Sequence, residues 1–351
     1  QVDAALAQAT ADPGQVRQAE YAISKAWVAF IQHLRTPPKG MIYGYDLLRP
    51  HARPDQILLT TAAASNLGEQ VERMADVNPT YRQIRDAAIA SGMTVADQRL
   101  LANLERARML PATGRFIVVD SASSRLTMYE NGQPVDSMRV VVGTPETPTP
   151  MIASIIHYLT LNPYWNVPPN LIRRTIAPNA LRQGEAYLRP RGYEVMSDWT
   201  TNATVVPASQ VNWKAMASGA KEMRIRQLPG PGNSMGKMKV PFPSGLDIYL
   251  HDTPTREHFA KSVRQLSNGC IRLEDARRLG RWLMGTDPAA RGDEPEQFVQ
   301  IPAGVPIYLT YLTAQAEGGK LSYLNDIYGW DTQPERQAAA AQYTPPAGAL
   351  R

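Results

Sequence analysis

The spacing of hydrophobic positions changes near residue 110, and that change divides the chain. Before it, apolar residues recur at helical intervals. Ile23, Trp27, Phe30, Ile31 and Leu34 share a face, and Thr36-Pro37-Pro38 ends the segment. Asn78-Pro79 offers a cap and a proline suited to a first turn, with Tyr81, Ile84 and Ala88 aligned after it. Thr94 and Asp97 resemble a capping box ahead of Leu100, Leu101 and Leu104. Residues 1–110 are expected to form a helical scaffold domain without a Gly-rich phosphate loop.

From Pro111 the period shortens to that of strands. Arg115 to Asp120 and Arg125 to Glu130 are short β-branched and aromatic runs, and Asn131-Gly132 is a hairpin-turn signal before a return strand at Val135 to Val142. Further strands fit Ile152 to Leu161, Asp247 to His251, Val305 to Leu312 and a short piece near Leu321. Glu274 to Met284 reads as a helix, with Ala276, Leu279 and Leu283 on one side. The pattern predicts an α+β protein, with mainly antiparallel β over 111–330 interrupted by an insertion at 163–240. From 331 to 351 the chain is rich in Gln, Ala and Pro, and a flexible tail is expected.

Charge sharpens the picture of the insertion. Its residues include eleven basic and four acidic side chains, whereas the whole chain has a net charge of +5. It also holds Trp165, Trp199, Trp213 and Pro229-Gly230-Pro231-Gly232. A long basic insertion bearing aromatics between strands suggests a lid or substrate-holding cap, against the plainer reading of a solvated outgrowth. The net charge favours an acidic partner, leaving nucleic acid, anionic lipid and a carboxylate-rich polymer open. No apolar run approaches the roughly 20 residues of a membrane-spanning helix. The chain starts at Gln1, without Met or a signal-like segment, and reads as mature or trimmed.

One cysteine, Cys270, excludes an intrachain disulfide and a multi-cysteine metal site. Histidines at 33, 51, 157, 251 and 258 show no paired metal spacing, so a structural zinc is not expected. A lone cysteine is commonly a small buried hydrophobe. Three features of Tyr249-Leu250-His251-Asp252-Thr253-Pro254 and Leu266-Ser267-Asn268-Gly269-Cys270-Ile271-Arg272-Leu273 point instead to a nucleophile. Gly269 clears space just before the sulfur. Cys270 is expected to precede a helix and lies near Arg272, both of which favour thiolate. His251 ends an upstream strand, where a sheet could hold it beside the cysteine. A thiol with its ordinary pKa of about 8.5 is little ionised at neutral pH, and an imidazole can take its proton and later protonate a leaving amine. Backbone N–H groups from Asn268 to Cys270 are candidate oxyanion donors. His258 is expected to be a solvated loop residue without a partner, and His157 could line a cleft. The order His then Ser-x-Gly-Cys fits cysteine acyl transfer without naming a substrate.

These residues resemble the signature of the YkuD-type L,D-transpeptidase family. Asn162-Pro163-Tyr164-Trp165-Asn166-Val167-Pro168-Pro169, Gly192-Tyr193-Glu194-Val195-Met196 and Pro229 to Gly236 extend the resemblance to its large YcbB-like branch. The resemblance covers about 111 to 330. It implies Cys270 as nucleophile, His251 as base, oxyanion donors at Gly269 and Cys270, and the Asp252 carbonyl as the group orienting the imidazole. Arg272 would brace the loop or meet a substrate carboxylate, and Tyr249 and Trp165 would line the cleft beside Ser267 and Asn268. Most of the family has histidine at the position of Asn268. The branch usually carries a peptidoglycan-binding domain that this chain has no room for between Tyr81 and Thr94.

The implied partners are donor and acceptor peptide stems of peptidoglycan, with carbapenems as covalent inhibitors and the periplasm as location, and the resemblance implies no metal or organic cofactor. Some shortened members without the binding domain make 1→3 links instead of the usual 3→3 links; the sequence does not decide between the two, and that absence tilts the expectation slightly toward 1→3. The rivals are an L,D-carboxypeptidase or endopeptidase, in which water attacks the acyl-enzyme, and a non-catalytic wall-binding protein. Nucleic-acid binding is not expected, because no helix-turn-helix, RRM or zinc pattern accompanies the basic excess.

Overall fold

The computed structural model describes residues 2–94 and 96–342. Its centre is a ring of strands. Ile152–Leu161 pairs with Met238–Pro241, and hydrogen-bonded neighbours follow in the order Tyr249–His251, Ile271–Leu273, Gln133–Gly143, Arg125–Glu130, Phe116–Asp120 and Gln297–Thr310. Gln297–Thr310 then pairs back onto Ile152–Leu161, with Ile307 opposite Ser154, and closes the barrel. Most of these pairings are antiparallel, but Tyr249–His251 runs parallel to Ile271–Leu273, and Phe116–Asp120 parallel to Gln297–Thr310. The Asn131-Gly132 turn forms as expected, with φ of 53° and 75°, the left-handed values a tight hairpin needs.

Period-two alternation fills the barrel. In Arg125–Glu130, Leu126 and Met128 are buried and the intervening residues are not. Ile117, Val119, Val140, Ile156, Leu250 and Ile271 join them inside. Fully burying such side chains contributes about 1.5–3 kcal/mol each. Helix Ala276–Met284, capped by the Asp275 carboxylate on the Arg278 N–H, packs Leu279 and Leu283 into this core.

The N-terminal helices run Val2–Ala11, Val16–Arg35, Pro54–Ala62, Leu67–Ala75, Pro79–Ala90 and Gln98–Ala107. Asn78 caps the fifth through the Tyr81 N–H, and its amide donates to the Ala107 and Leu110 carbonyls. The sixth is capped by Asp97, whose carboxylate takes the Arg99 and Leu100 N–H groups, while the Thr94 hydroxyl accepts from Ala96 and its carbonyl from Asp97. Of the first apolar face, Ile31 and Leu34 are buried but Ile23 and Phe30 remain exposed. Ile84, Ala88, Leu100 and Leu110 cover the barrel's outside at Phe116, Val118 and Tyr308. A short strand, Ile42–Tyr43, also adds to the barrel beside Ile152, which the helical reading of 1–110 missed.

Three further expectations change. The strand expected at 305–312 is longer, Gln297–Thr310, because closure of the ring needs both its halves. The end of the expected insertion returns to the barrel as Met238–Pro241. The tail expected to be flexible from 331 is folded to at least 342. Asp331 and Gln337 are buried, and Pro334–Ala340 is a helix. Arg106 holds it down, donating to Asp331 at 2.6 Å, Gln337 at 2.8 Å and the Trp330 carbonyl at 2.7 Å. Arg99 and Thr313 also donate to Asp331. A polar cluster of this kind is invisible to hydrophobic patterning. Residues 343–351 lie outside the described ones.

The insertion has a hydrophobic core of its own, built around Val167, Ile176, Ala180, Val195, Trp213 and Ile225. A small sheet in the order Trp165–Asn166, Arg224–Gln227, Tyr193–Met196 and Val205–Val206 backs it.

Candidate active site

The parallel pair Tyr249–His251 and Ile271–Leu273 sets the site. Leu250 opposes Ile271 and both point into the core. Alternation therefore sends Tyr249, His251 and Arg272 to the outer face, with Cys270 at the entrance of its strand. Cys270 follows a sharp bend at Gly269, whose φ of 109° is one that L side chains avoid. The expected helix does not follow Cys270 directly, since the strand Ile271–Leu273 intervenes and the helix begins at Ala276. The N-terminus of that helix therefore does not lie directly after the sulfur to favour the thiolate.

The bend is tied from several sides. Ser267 Oγ donates to the Cys270 carbonyl at 2.6 Å and accepts from the Gly269 N–H at 3.1 Å. Thr149 Oγ1 donates to the Gly269 carbonyl at 2.7 Å. Gln265, buried, anchors the strand before it to the Ser121 carbonyl and Ser124 hydroxyl. Ser267 thus shapes the loop. The Gly269 N–H, expected to face an oxyanion, is in this arrangement bonded to Ser267, because the bend turns it inward.

The imidazole of His251 is buried, and its Nδ1 lies 2.5 Å from the Asp252 carbonyl, the orienting contact the sequence suggested. The Asp252 carboxylate is engaged elsewhere, accepting the Lys237 N–H. Burial pushes His251 down to about 3, aided by the Arg272 charge and opposed by hydrogen bonding to the Asp252 and Ser234 backbone. Burial also pushes the Cys270 thiol up. Hydrogen bonding from Tyr249 and the Lys239 charge oppose that rise, while Asp247 adds to it. The resting pair is neutral, thiol beside imidazole. Its sulfur donates to the Asp247 carbonyl at 3.3 Å.

Above this face lies a cleft of about 170 Å³. Its floor includes His251, Cys270, Arg272, Tyr249, Ser267 and Asn268, and its roof is the insertion, through Trp165, Val167, Trp199 and Met235. The roof is held by buried Asn233, whose amide donates to the Pro163 and Leu228 carbonyls and whose oxygen accepts the Met235 N–H. His251, Cys270, Arg272, Tyr249, Ser267, Asn268 and Trp165 therefore line one cleft, with Asp252 and Gly269 next to them in the chain. Arg272 reaches His258, donating to Nδ1 at 3.1 Å, so His258 has the partner it was expected to lack. His157 is not in the cleft; its ring meets Tyr45 edge-on at 5.5 Å.

Sequence reasoning missed Trp199, Thr147, Lys239 and Asp247. Lys239 Nζ sits 4.2 Å above the Tyr249 ring. Asp247 is half-buried, and burial raises its carboxyl to about 6 with the Lys239 charge opposing. Trp199 stood out only as an insertion aromatic; nothing local marks the other three. Among the described residues no group of His, Cys, Asp and Glu is arranged to hold a metal.

The family model of the L,D-transpeptidase catalytic domain, YkuD, matches residues 114–300, and that of a scaffold domain matches 1–87. A Haemophilus influenzae protein that carries the provisional name L,D-transpeptidase is 28% identical over 321 residues. The match takes in 88% of this chain, which spans 64% of that protein's length. Among solved structures, an L,D-transpeptidase from Mycobacterium smegmatis is 14% identical at a TM-score of 0.29, covering 57% of this chain and 59% of that one. L,D-transpeptidase 3 from Mycobacterium tuberculosis, in complex with a faropenem-derived adduct, is 12% identical at 0.25 over 57% and 61%. A mutant Enterococcus faecium L,D-transpeptidase is 11% identical at 0.29 over 80% and 98%.

Proposed function

The chain belongs to the L,D-transpeptidase family defined by the YkuD catalytic domain, and from that premise we propose that it cross-links peptidoglycan through a thioester on Cys270. The observation that carries this reading is the gathering of Cys270, His251 and Arg272 on one face of a parallel strand pair, under a cap, with the imidazole oriented by the Asp252 carbonyl.

The first half-reaction begins when substrate enters. His251, neutral at rest, takes the Cys270 proton as the thiolate attacks the carbonyl of an L,D peptide bond. The backbone N–H of Cys270 would meet the developing oxyanion, with that of Gly269 joining it once Ser267 turns away. The imidazolium then protonates the departing amine. In the second half-reaction the amino group of a neighbouring stem attacks the thioester, and the sulfur leaves.

Trp165, Trp199 and Met235 roof the cleft with apolar surface, which favours an amine over water as the attacking group. Only residues 91–97 separate helices Pro79–Ala90 and Gln98–Ala107, and this close succession is the reason to favour 1→3 over 3→3 links. A peptidoglycan substrate places the protein in the periplasm. The same sulfur should be acylated by carbapenems, which offer it a strained carbonyl.

The test is mass spectrometry of muropeptides after incubating the protein, or its Cys270→Ala variant, with purified stems. New cross-linked dimers from the parent protein alone are expected, and fragmentation assigns the link. Shortened monomers without dimers would replace this reading with hydrolysis. No change, together with no carbapenem adduct, would leave a wall-binding role.

A further inference from the structure

Asp247 is the one carboxylate among the described residues that line the cleft, and the two steps above do not use it. It sits at the centre of a tight turn, in which the Ile248 N–H donates to the Leu246 carbonyl at 2.7 Å. Its backbone is fixed against the nucleophile, because its carbonyl accepts from the Cys270 sulfur at 3.3 Å. Ile248 on one side is buried in the barrel core, whereas Asp247 itself lines the cleft beside Cys270 and Tyr249. The carboxylate has no hydrogen bond or ion pair among the described residues, and Lys239 acts on it only at a distance.

Such a group is costly where it stands. A half-buried carboxylate without a partner loses hydration, and this one also makes the Cys270 thiolate harder to form. It hinders the first half-reaction. The second has a different requirement. An alkyl amine arrives at neutral pH as an ammonium ion, a cation that cannot attack until it loses a proton; among the described residues lining the cleft Asp247 is the one carboxylate, while Arg272 on the floor and Lys239 over the Tyr249 ring are cationic.

We propose that Asp247 is the recognition group for the acceptor's ammonium, binding it beside the Cys270 thioester and taking its first proton. The inference rests on the transferase reading above. The balance is as follows. The ammonium gives one proton to the Asp247 carboxylate, and the free amine forms a C–N bond to the thioester carbon. The C–S bond breaks on collapse of the tetrahedral adduct, and the second nitrogen proton passes through His251 to the departing sulfur. The carboxylic acid then releases its proton to solvent. Its upward shift to about 6 brings it nearer to an effective proton acceptor at neutral pH than an ordinary aspartate.

The experiment compares the full chain with its Asp247→Asn and Asp247→Glu variants in two separate readouts. The first is the rate of covalent adduct formation with imipenem, followed by intact-mass spectrometry, which needs no acceptor. The second is the ratio of amine product to hydrolysis product, with tetrapeptide stems as donor and stem amines or hydroxylamine as acceptor. Asp247→Asn should form the adduct as fast as the parent or faster. Its ratio for stem amines should fall about ten- to a hundredfold, with partial recovery in Asp247→Glu. Transfer to hydroxylamine, uncharged at neutral pH, should be unchanged. Equal ratios for stem amines in parent and Asp247→Asn protein would overturn the inference alone. A parallel loss in adduct formation and in both transfers would also overturn it, showing a structural residue. If the parent forms the adduct yet yields no amine product at all, the transferase reading fails and this inference with it.

Discussion

His251 and Cys270 are pushed apart in proton affinity by the same burial that brings them together. With the imidazole held near 3 and the thiol raised, neither group changes charge between pH 5 and 8 in the free protein. Imipenem acylation should therefore stay nearly level between pH 5 and 8, with neutral imidazole acting as the base throughout, and change only at higher pH where the thiol itself ionises. It should show no limb at the ordinary imidazole value of about 6.5. Rates measured from pH 5 to 10 in an Asp247→Asn background, which removes the one cleft group titrating near 6, check this. A limb near 6.5 would mean the imidazole is not held neutral.

The same shift has a stability consequence. The folded-state pKa of His251 lies below its unfolded value, so its contribution is present above about 6.5 and is lost as pH falls toward 3. Asp247, raised above its unfolded value, acts in the opposite sense, and the same background removes it. Melting temperatures should drop across that window, and His251→Gln protein should lose less.

At the scale of elements, the sequence was most readable where one local rule decided the outcome. Arg125–Glu130 and Ile152–Leu161 were delimited by alternation and turn residues, and the Asn131-Gly132 hairpin by its left-handed backbone. Legibility failed where a long-range partner was in control. Residues 297–304 show no strand pattern and become one only because Leu161 to Tyr158 offers an edge. Asp331, in a stretch of polar composition, is ordered by arginines more than two hundred residues away. At the site, a Gly before a Cys and a strand-ending His were legible, while Asp247 is recognisable only through a cleft the sequence does not display.

Asn233 shows how one element positions another. It closes the turn that hangs Ser234 and Met235 over His251, using both ends of its amide. Asn233→Ala should destabilise the protein by about 2–4 kcal/mol, since buried carbonyls and an N–H lose their partners together. Urea unfolding measures the cost. Activity should fall further than Cys270 alkylation, which does not need the roof.

The whole molecule is held by an ionic clasp as well as by its cores. Arg106 and Asp331, each almost wholly buried, join the last N-terminal helix to the segment after the barrel. Removing either partner alone leaves an uncompensated charge. Arg106→Met or Asp331→Leu alone should cost about 3–5 kcal/mol, whereas the two replacements together should cost less than the singles combined. A double-mutant cycle from chemical denaturation reads the coupling.

Phe116–Asp120, the first strand of the closed ring after the short edge piece Ile42–Tyr43, finds its parallel neighbour in Gln297–Thr310. Nearly all of the remaining barrel, and the whole cap, is threaded between them. During synthesis from the N-terminus, the cap has every residue of its own core long before the barrel can close. Closure must then await a contact distant in sequence, the kind that makes folding slow. Until that moment the nucleophile has been made but has no settled surroundings, so reactivity is the last property the molecule acquires.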